Sequence, residues 1–241
     1  SSTPSVIQAL RGRHPQTYRE LTPVCAVIGD YLAFVVRRQS EVASWEQLVA
    51  GFKATPAVFK FAGGSVLGGF DHLGTALALE AAGADIVHLA YVPYDTGGKA
   101  MAALLSGETP LLATGVGEAM GAWRAEQVRV LAVSAPVRIS ALPEVPTLRE
   151  LGTGVELVNW RGFFGPPGLD EAAVSRWIGL LRDMAATPEW RALVERNGWV
   201  EILRCGDDFT GFLAAQEAAL APLLRRLDSR SSRSARRTAG G

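Results

Sequence analysis

The chain has 241 residues, 48% of them hydrophobic, and its 24 Lys and Arg side chains balance 24 Asp and Glu. That is enough apolar material for one or two domains with a substantial core, and the even charge excludes a global field that would gather nucleic acid or an anionic membrane. No apolar run reaches the length of a bilayer span, and the opening residues SSTPSVIQALRGRHP hold no signal-peptide core.

In chain order, the first strand is expected at Tyr31–Val36, and Ser44-Trp45-Glu46-Gln47 is a capping box that opens a helix. Val58–Ala62 reads as a strand running into Gly63-Gly64-Ser65-Val66-Leu67-Gly68-Gly69-Phe70-Asp71-His72-Leu73. Glycine lets the backbone turn tightly and lets a ligand approach it. The orphan N–H groups and positive dipole end of the following helix suit a carboxylate or phosphate; the same residues would equally close an ordinary strand–helix joint. Ile86–Val92 is the next strand, and Tyr94-Asp95-Thr96-Gly97-Gly98-Lys99 repeats the device ahead of a helix over Ala100–Leu105. Thr96 adds a hydroxyl and Tyr94 an aromatic wall, unless this is only a Pro-fixed turn. Leu111–Thr114 leads into a third turn, Gly115-Val116-Gly117-Glu118, where Glu118 is expected to cap a helix rather than to do chemistry.

Val128–Ser134 and Leu157–Gly165 complete the strands, with a second capping box at Thr147-Leu148-Arg149-Glu150 whose helix Gly152 stops. Asp170 is placed to cap Glu171–Ala186, Thr187-Pro188 opens a helix that Gly198 closes, and Asp207 caps Asp208–Leu227, kinked near Pro222. Phe209, Phe212, Leu213, Leu220, Leu223, Leu224 and Leu227 form an apolar stripe at helical spacing, read as a core face. Residues 228–241, rich in Arg and Ser, read as a disordered tail. Alternating strands and helices imply parallel β/α units, whose ligands meet the carboxyl edge of the sheet.

Chemistry beyond binding finds little support. Cys25 and Cys205 lie far apart with no CxxC or His/Cys cluster, so no metal site is expected; they either pair in an exported protein or stay as buried thiols. GGSVLGG does not match the dinucleotide fingerprint, and Ser65 does not sit in GxSxG. Three histidines, His14, His72 and His88, leave little for general acid–base catalysis. No enzyme and no cofactor are expected.

The ordered series GGSVLGGFDHL (63–73), YVPYDTGGKAMAALLSG (91–107), GVGE (115–118), VRVLAVSAPVRISALPEVPTLRELG (128–152) and NWRGFFGPPG (159–168) resembles the TctC-like or Bug extracytoplasmic solute-binding receptors of tripartite tricarboxylate transporters. The resemblance runs from about Tyr18 to Leu227. It implies an α/β, type II periplasmic-binding-protein fold: two lobes joined by two crossing strands, the first lobe N-terminally truncated. Those lobes would be 1–37 plus 157–227 and 38–156, followed by the tail 228–241. It also implies a monomeric, periplasmic or cell-surface protein that captures a small organic anion and hands it to membrane permease subunits, with a ligand sensor or receptor remnant as the alternative. Ligand contacts would come from Gly64, Ser65, Gly68, Gly69, Tyr94, Thr96, Gly97, Gly98, Glu118, Asn159 and Arg161. His72 is expected to orient or pack, and Asp71 to point away from the cleft. Arg161 either grips a carboxylate bidentately or ties the hinge to the first lobe.

Overall fold

The computed structural model describes residues 3–12 and 17–238. Its elements are α1 (Thr3–Leu10), β1 (Thr22–Arg37), α2 (Trp45–Ala54), β2 (Lys60–Gly63), α3 (Phe70–Ala81), β3 (Ala90–Pro93), α4 (Gly97–Ser106) and β4 (Leu111–Gly115). They continue with α5 (Val116–Arg124), β5 (Val128–Val133), β6 (Val158–Gly165), α6 (Glu171–Ala185), α7 (Pro188–Arg196), β7 (Val200–Cys205) and α8 (Asp207–Thr238).

β1 organises the molecule. Its 16 residues serve two sheets in succession. Thr22–Tyr31 pairs antiparallel with β6, and Cys25–Gly29 also with β7; Leu32–Arg37 lies antiparallel between β4 and β5. β2 is parallel to both β3 and β4, giving the order β3-β2-β4-β1-β5. Every residue from Val24 to Val36 is buried, because both faces of this strand are covered and its side chains need not alternate. The sequence reading began the strand only at Tyr31. Pro23, Gly29 and Asp30 interrupt the apolar run and are residue types that weaken a strand assignment.

Three further expectations change. Within Ile86–Val92, Ile86–His88 is a 3₁₀ turn capped by Asp85, and only Ala90–Pro93 is extended. The Thr147–Glu150 box is made, with Thr147 N–H donating to Glu150 Oε2 at 2.8 Å and Glu150 N–H to Thr147 Oγ1 at 3.1 Å. It closes a turn and not a helix, since the chain passes at once into Gly152, whose φ of +80° leaves the right-handed helical region. The expected disordered tail is helical in the structure: α8 continues through Pro222 to Thr238, and 239–241 lie outside the described residues.

Phe209, Leu213, Leu220 and Leu224 are buried and Phe212 packs against them, as the stripe predicts, while the side chains of Leu223 and Leu227 fall outside the described set. Phe209 and Phe212 meet the fully buried Trp160 of β6 edge-on, at 5.4 and 6.0 Å between centroids. A second cluster joins Phe34 of β1, Trp45 and Phe52 of α2 and Phe61 of β2. Cys25 and Cys205, register partners on β1 and β7, form a disulfide. Ser134, fully buried just after β5, accepts from Leu32 N–H at 2.9 Å and donates to Leu157 C=O at 2.6 Å. It thereby ties the middle of β1 to the chain entering β6.

Candidate ligand site at the ends of three strands

The parallel strands β2, β3 and β4 end at Gly63, Pro93 and Gly115, and each hands the chain to a helix N-terminus. These three turns touch. A Cβ on Gly64 would lie 2.4 Å from the Gly97 amide nitrogen, and one on Gly97 would lie 2.0 Å from Glu118 Oε2. Glycine at 64 is therefore a requirement of close approach between backbones, whereas at 97 the neighbour is the movable carboxylate end of Glu118. Thr96 is the N-cap of α4 and accepts from Lys99 N–H at 3.2 Å, while Gly98 is exposed. Glu118 accepts a hydrogen bond from Thr114 Oγ1. Tyr94 turns outward, its hydroxyl donating to Glu108 at 2.8 Å.

The glycine turn after β2 is filled by the chain's own acceptors. Asp71, in the first turn of α3, is 7% exposed, and Ser65 and the amide of Gly64 near it favour its charged form. Its own N–H donates to Ser65 Oγ at 3.1 Å, and Tyr91 of β3 donates to the Ser65 carbonyl at 2.8 Å. At the far end of the turn, Gly68 N–H donates to His72 Nδ1 at 2.8 Å, and Gly69 N–H to the Val66 carbonyl at 2.7 Å. The Arg11 guanidinium lies where a Gly68 Cβ would be. Val66 and Leu67, between these glycines, are 71% and 59% exposed. Asp71 is thus buried beside the turn, tied to it through its own N–H. His72 orients and packs as expected, its ring against Tyr91 at 4.9 Å.

Asn159 and Arg161 lie on β6, opposite Asp30 and Ile28 of β1. Arg161 donates to the Asn159 carbonyl at 3.1 Å, and its charge acts on Asp30. Asp30, 5% exposed, accepts from Gly117 N–H at 3.1 Å and so caps α5 while linking the crossing strand to the third turn. Asn159 Oδ1 is buried and among the described residues has no hydrogen-bond partner. Burial pushes Asp71 up to about 7, with Glu118 adding to it, and pushes Asp30 up to about 6. Burial, with Arg11 nearby, holds His72 below its ordinary value. The structure therefore gathers Gly64, Ser65, Thr96, Gly97 and Glu118 at one edge, with Asn159 and Arg161 reached through Asp30. Asp30, Tyr91, Thr114 and Arg11 escaped the sequence reading; the one signal was Asp30, a lone charge within the apolar run Val24–Val36.

A strand shared between two sheets, with turns converging at the ends of parallel strands, defines the two-lobed binding-protein class. The family model described as tripartite tricarboxylate transporter family receptor matches residues 12–228, and the chain belongs to that family. Its members are solute-binding proteins and not enzymes. The chain is 29% identical over 176 residues to the UPF0065 protein in the tcbD-tcbE intergenic region of Pseudomonas sp. (strain P51), covering 72% of this chain and 51% of that one. With BugT of Bordetella pertussis it shares 28% over 211 residues, covering 86% and 62%. The malate-bound MatC of Rhodopseudomonas palustris superposes with a TM-score of 0.78 at 17% identity, covering 93% of this chain and 77% of that one. An adipate-bound R. palustris protein gives 0.76 at 21%, covering 86% and 68%. The chain spans about half of the length of the Pseudomonas relative and 62% of BugT. Among the described residues, no group of three His, Cys, Asp or Glu could hold a metal ion, and no helix is long and apolar enough to cross a membrane.

Proposed function

We propose that this chain captures a small organic acid outside the cytoplasm and presents it to the membrane permease of a tripartite transporter. The observation that carries the reading is the convergence of three helix-starting turns at one sheet edge within a chain of the receptor family. The lobes are read as 1–37 plus 157–227 and 38–156 with β1 as the strand that crosses between them, its Thr22–Tyr31 half on β6 and β7 and its Leu32–Arg37 half on β4 and β5 of the second lobe. The ligand sits against the turns at Gly64–Gly69, Thr96–Gly98 and Glu118, with Asn159 and Arg161 across from them. Closing the lobes exchanges an open population for a closed one through contacts the ligand makes to both. The Cys25–Cys205 disulfide supports an oxidising, extracytoplasmic setting. Malate and adipate, seen in structural neighbours, are the first ligands to try.

Thermal unfolding against malate, adipate, citrate and phosphate tests this. A ligand that prefers the native state raises the melting temperature in a dose-dependent way. A cooperative melt that no organic acid shifts would overturn the assignment.

A further inference from the structure

The following rests on the reading that a ligand carboxylate meets the glycine turn after β2. We propose that Arg11 is a ligand-binding residue: its guanidinium, carried over that turn by α1, takes the carboxylate with its planar fork, so that the ligand is held between a side chain of the first lobe and the turn of the second. The donors of the turn itself are committed at the Gly68 end. Gly68 N–H donates to His72 Nδ1, and Gly69 N–H to the Val66 carbonyl. Tyr91 donates to the Ser65 carbonyl at 2.8 Å, which leaves the 3.2 Å contact between the Ser65 and Tyr91 hydroxyls to the Ser65 proton. A carboxylate arriving there needs a donor from outside the turn, because a carboxylate taken out of water must be paired or hydrogen-bonded.

The position of Arg11 is built from the start of its helix. Thr3 Oγ1 donates to the Val158 carbonyl at 2.7 Å and accepts from Trp160 N–H at 3.3 Å, which fixes the beginning of α1 on β6. Val6, Ile7 and Ala9 are buried along it. Arg11 N–H still donates to the Ile7 carbonyl at 3.1 Å, and Gly12, with φ of +61°, turns the chain away, so Arg11 closes the last turn. From there Arg11 Nη1 donates to the Leu67 carbonyl at 3.4 Å, and its Cζ lies 2.6 Å from where a Gly68 Cβ would be. Gly68 has a φ of +73° and the guanidinium stands in the space of its missing side chain, so glycine is required there twice over. A guanidinium presents five N–H donors in a rigid fork that matches a carboxylate, and one arginine can hold a carbonyl and a carboxylate together. Arg11 is partly buried, which strengthens such a pair over one in open water.

The test is calorimetric titration of malate and of adipate into the full chain, into Arg11→Gln and into Arg11→Lys, each at about 0.05 M and about 0.5 M salt. Gln keeps a donor for the Leu67 carbonyl and loses the charge; Lys keeps the charge and loses the fork. The expected result is that Arg11→Gln binds about ten- to a hundredfold more weakly at low salt and with a smaller salt dependence than the unaltered chain, with Arg11→Lys in between. An arginine that only shapes the turn would leave the salt dependence of binding unmoved. Unchanged affinity in Arg11→Gln, or weaker binding with the salt dependence unchanged, would overturn the proposal while leaving the receptor reading intact. Failure of both ligands with all three proteins at both salt concentrations would overturn the receptor reading, and the proposal with it. If Arg11→Gln does not melt cooperatively, Arg11→Lys decides: affinity equal to that of the unaltered chain would show that no fork is engaged and would overturn the proposal.

Discussion

At the scale of single residues, the site is governed by what cannot be added and by what cannot stay charged. A methyl group on Gly64 would meet the backbone of Gly97 and Thr96, at 2.4 to 2.9 Å, which cannot step aside as a flexible side chain would. Gly64→Ala should therefore destabilise the chain by about 1 to 3 kcal/mol, read as a lower urea midpoint with an unchanged m-value; an unshifted midpoint would refute the close approach. Asp30 gives a pH dependence. Its folded value, about 6, is raised above its ordinary value near 3.8 by burial, so the stabilisation from its protonated form is complete below about 4 and lost as pH rises through 6. The span is about 3 kcal/mol at most. Urea unfolding at about pH 5 and about pH 7.5 should show a smaller difference for Asp30→Asn than for the unaltered chain. The glycines of these turns were legible in the sequence, because only glycine allows backbones to meet. The burial of Asp71 was not: a helix-start aspartate is compatible with solvent or interior, and nothing local in the sequence decides between them.

At the scale of elements, legibility followed how local the determinants are. α6 and α7 begin where their caps predict, with Asp170 accepting from Ala173 N–H at 2.8 Å and Thr187 from Trp190 N–H at 3.2 Å. The Thr147 box is equally local and equally formed, yet a box satisfies only the first turn, and the glycine at 152 ends it there. α1 and β7 passed unnoticed, because each is short and is held by partners far along the chain: Thr3 Oγ1 donates to Val158 C=O at 2.7 Å, and β7 is laid down on β1. Ser134 shows the same dependence, joining β1 to the start of β6 with no local signature. Replacing it with Ala strands the Leu32 N–H and the Leu157 C=O in the interior, which should cost about 1 to 3 kcal/mol. Faster amide hydrogen exchange at Leu32 in Ser134→Ala would accompany that loss; protection equal to the unaltered chain would show the bond to be dispensable.

At the scale of the whole molecule, the order of short phrases along the chain pointed to the family more surely than any one of them, and the family implied the crossing strands. The disulfide joins positions 180 residues apart, on β1 and β7. A crosslink closing so long a loop restricts the unfolded chain, and stabilisation of about 2 to 4 kcal/mol is expected. The double variant Cys25→Ala with Cys205→Ala should melt at a lower temperature than the oxidised chain and, unlike it, be indifferent to reductant. Equal melting of the two would show that packing alone holds β7 in place.

Because β1 belongs to both sheets, neither half of the molecule owns it. A polypeptide cut between Asp30 and Leu32 would divide the strand that each sheet needs, whereas a cut at the exposed bend of Gly152 and Gly154 between β5 and β6 would leave β1 whole. In a split reporter built from this chain, fragments divided at the second place should reassemble, and fragments divided within β1 should stay apart.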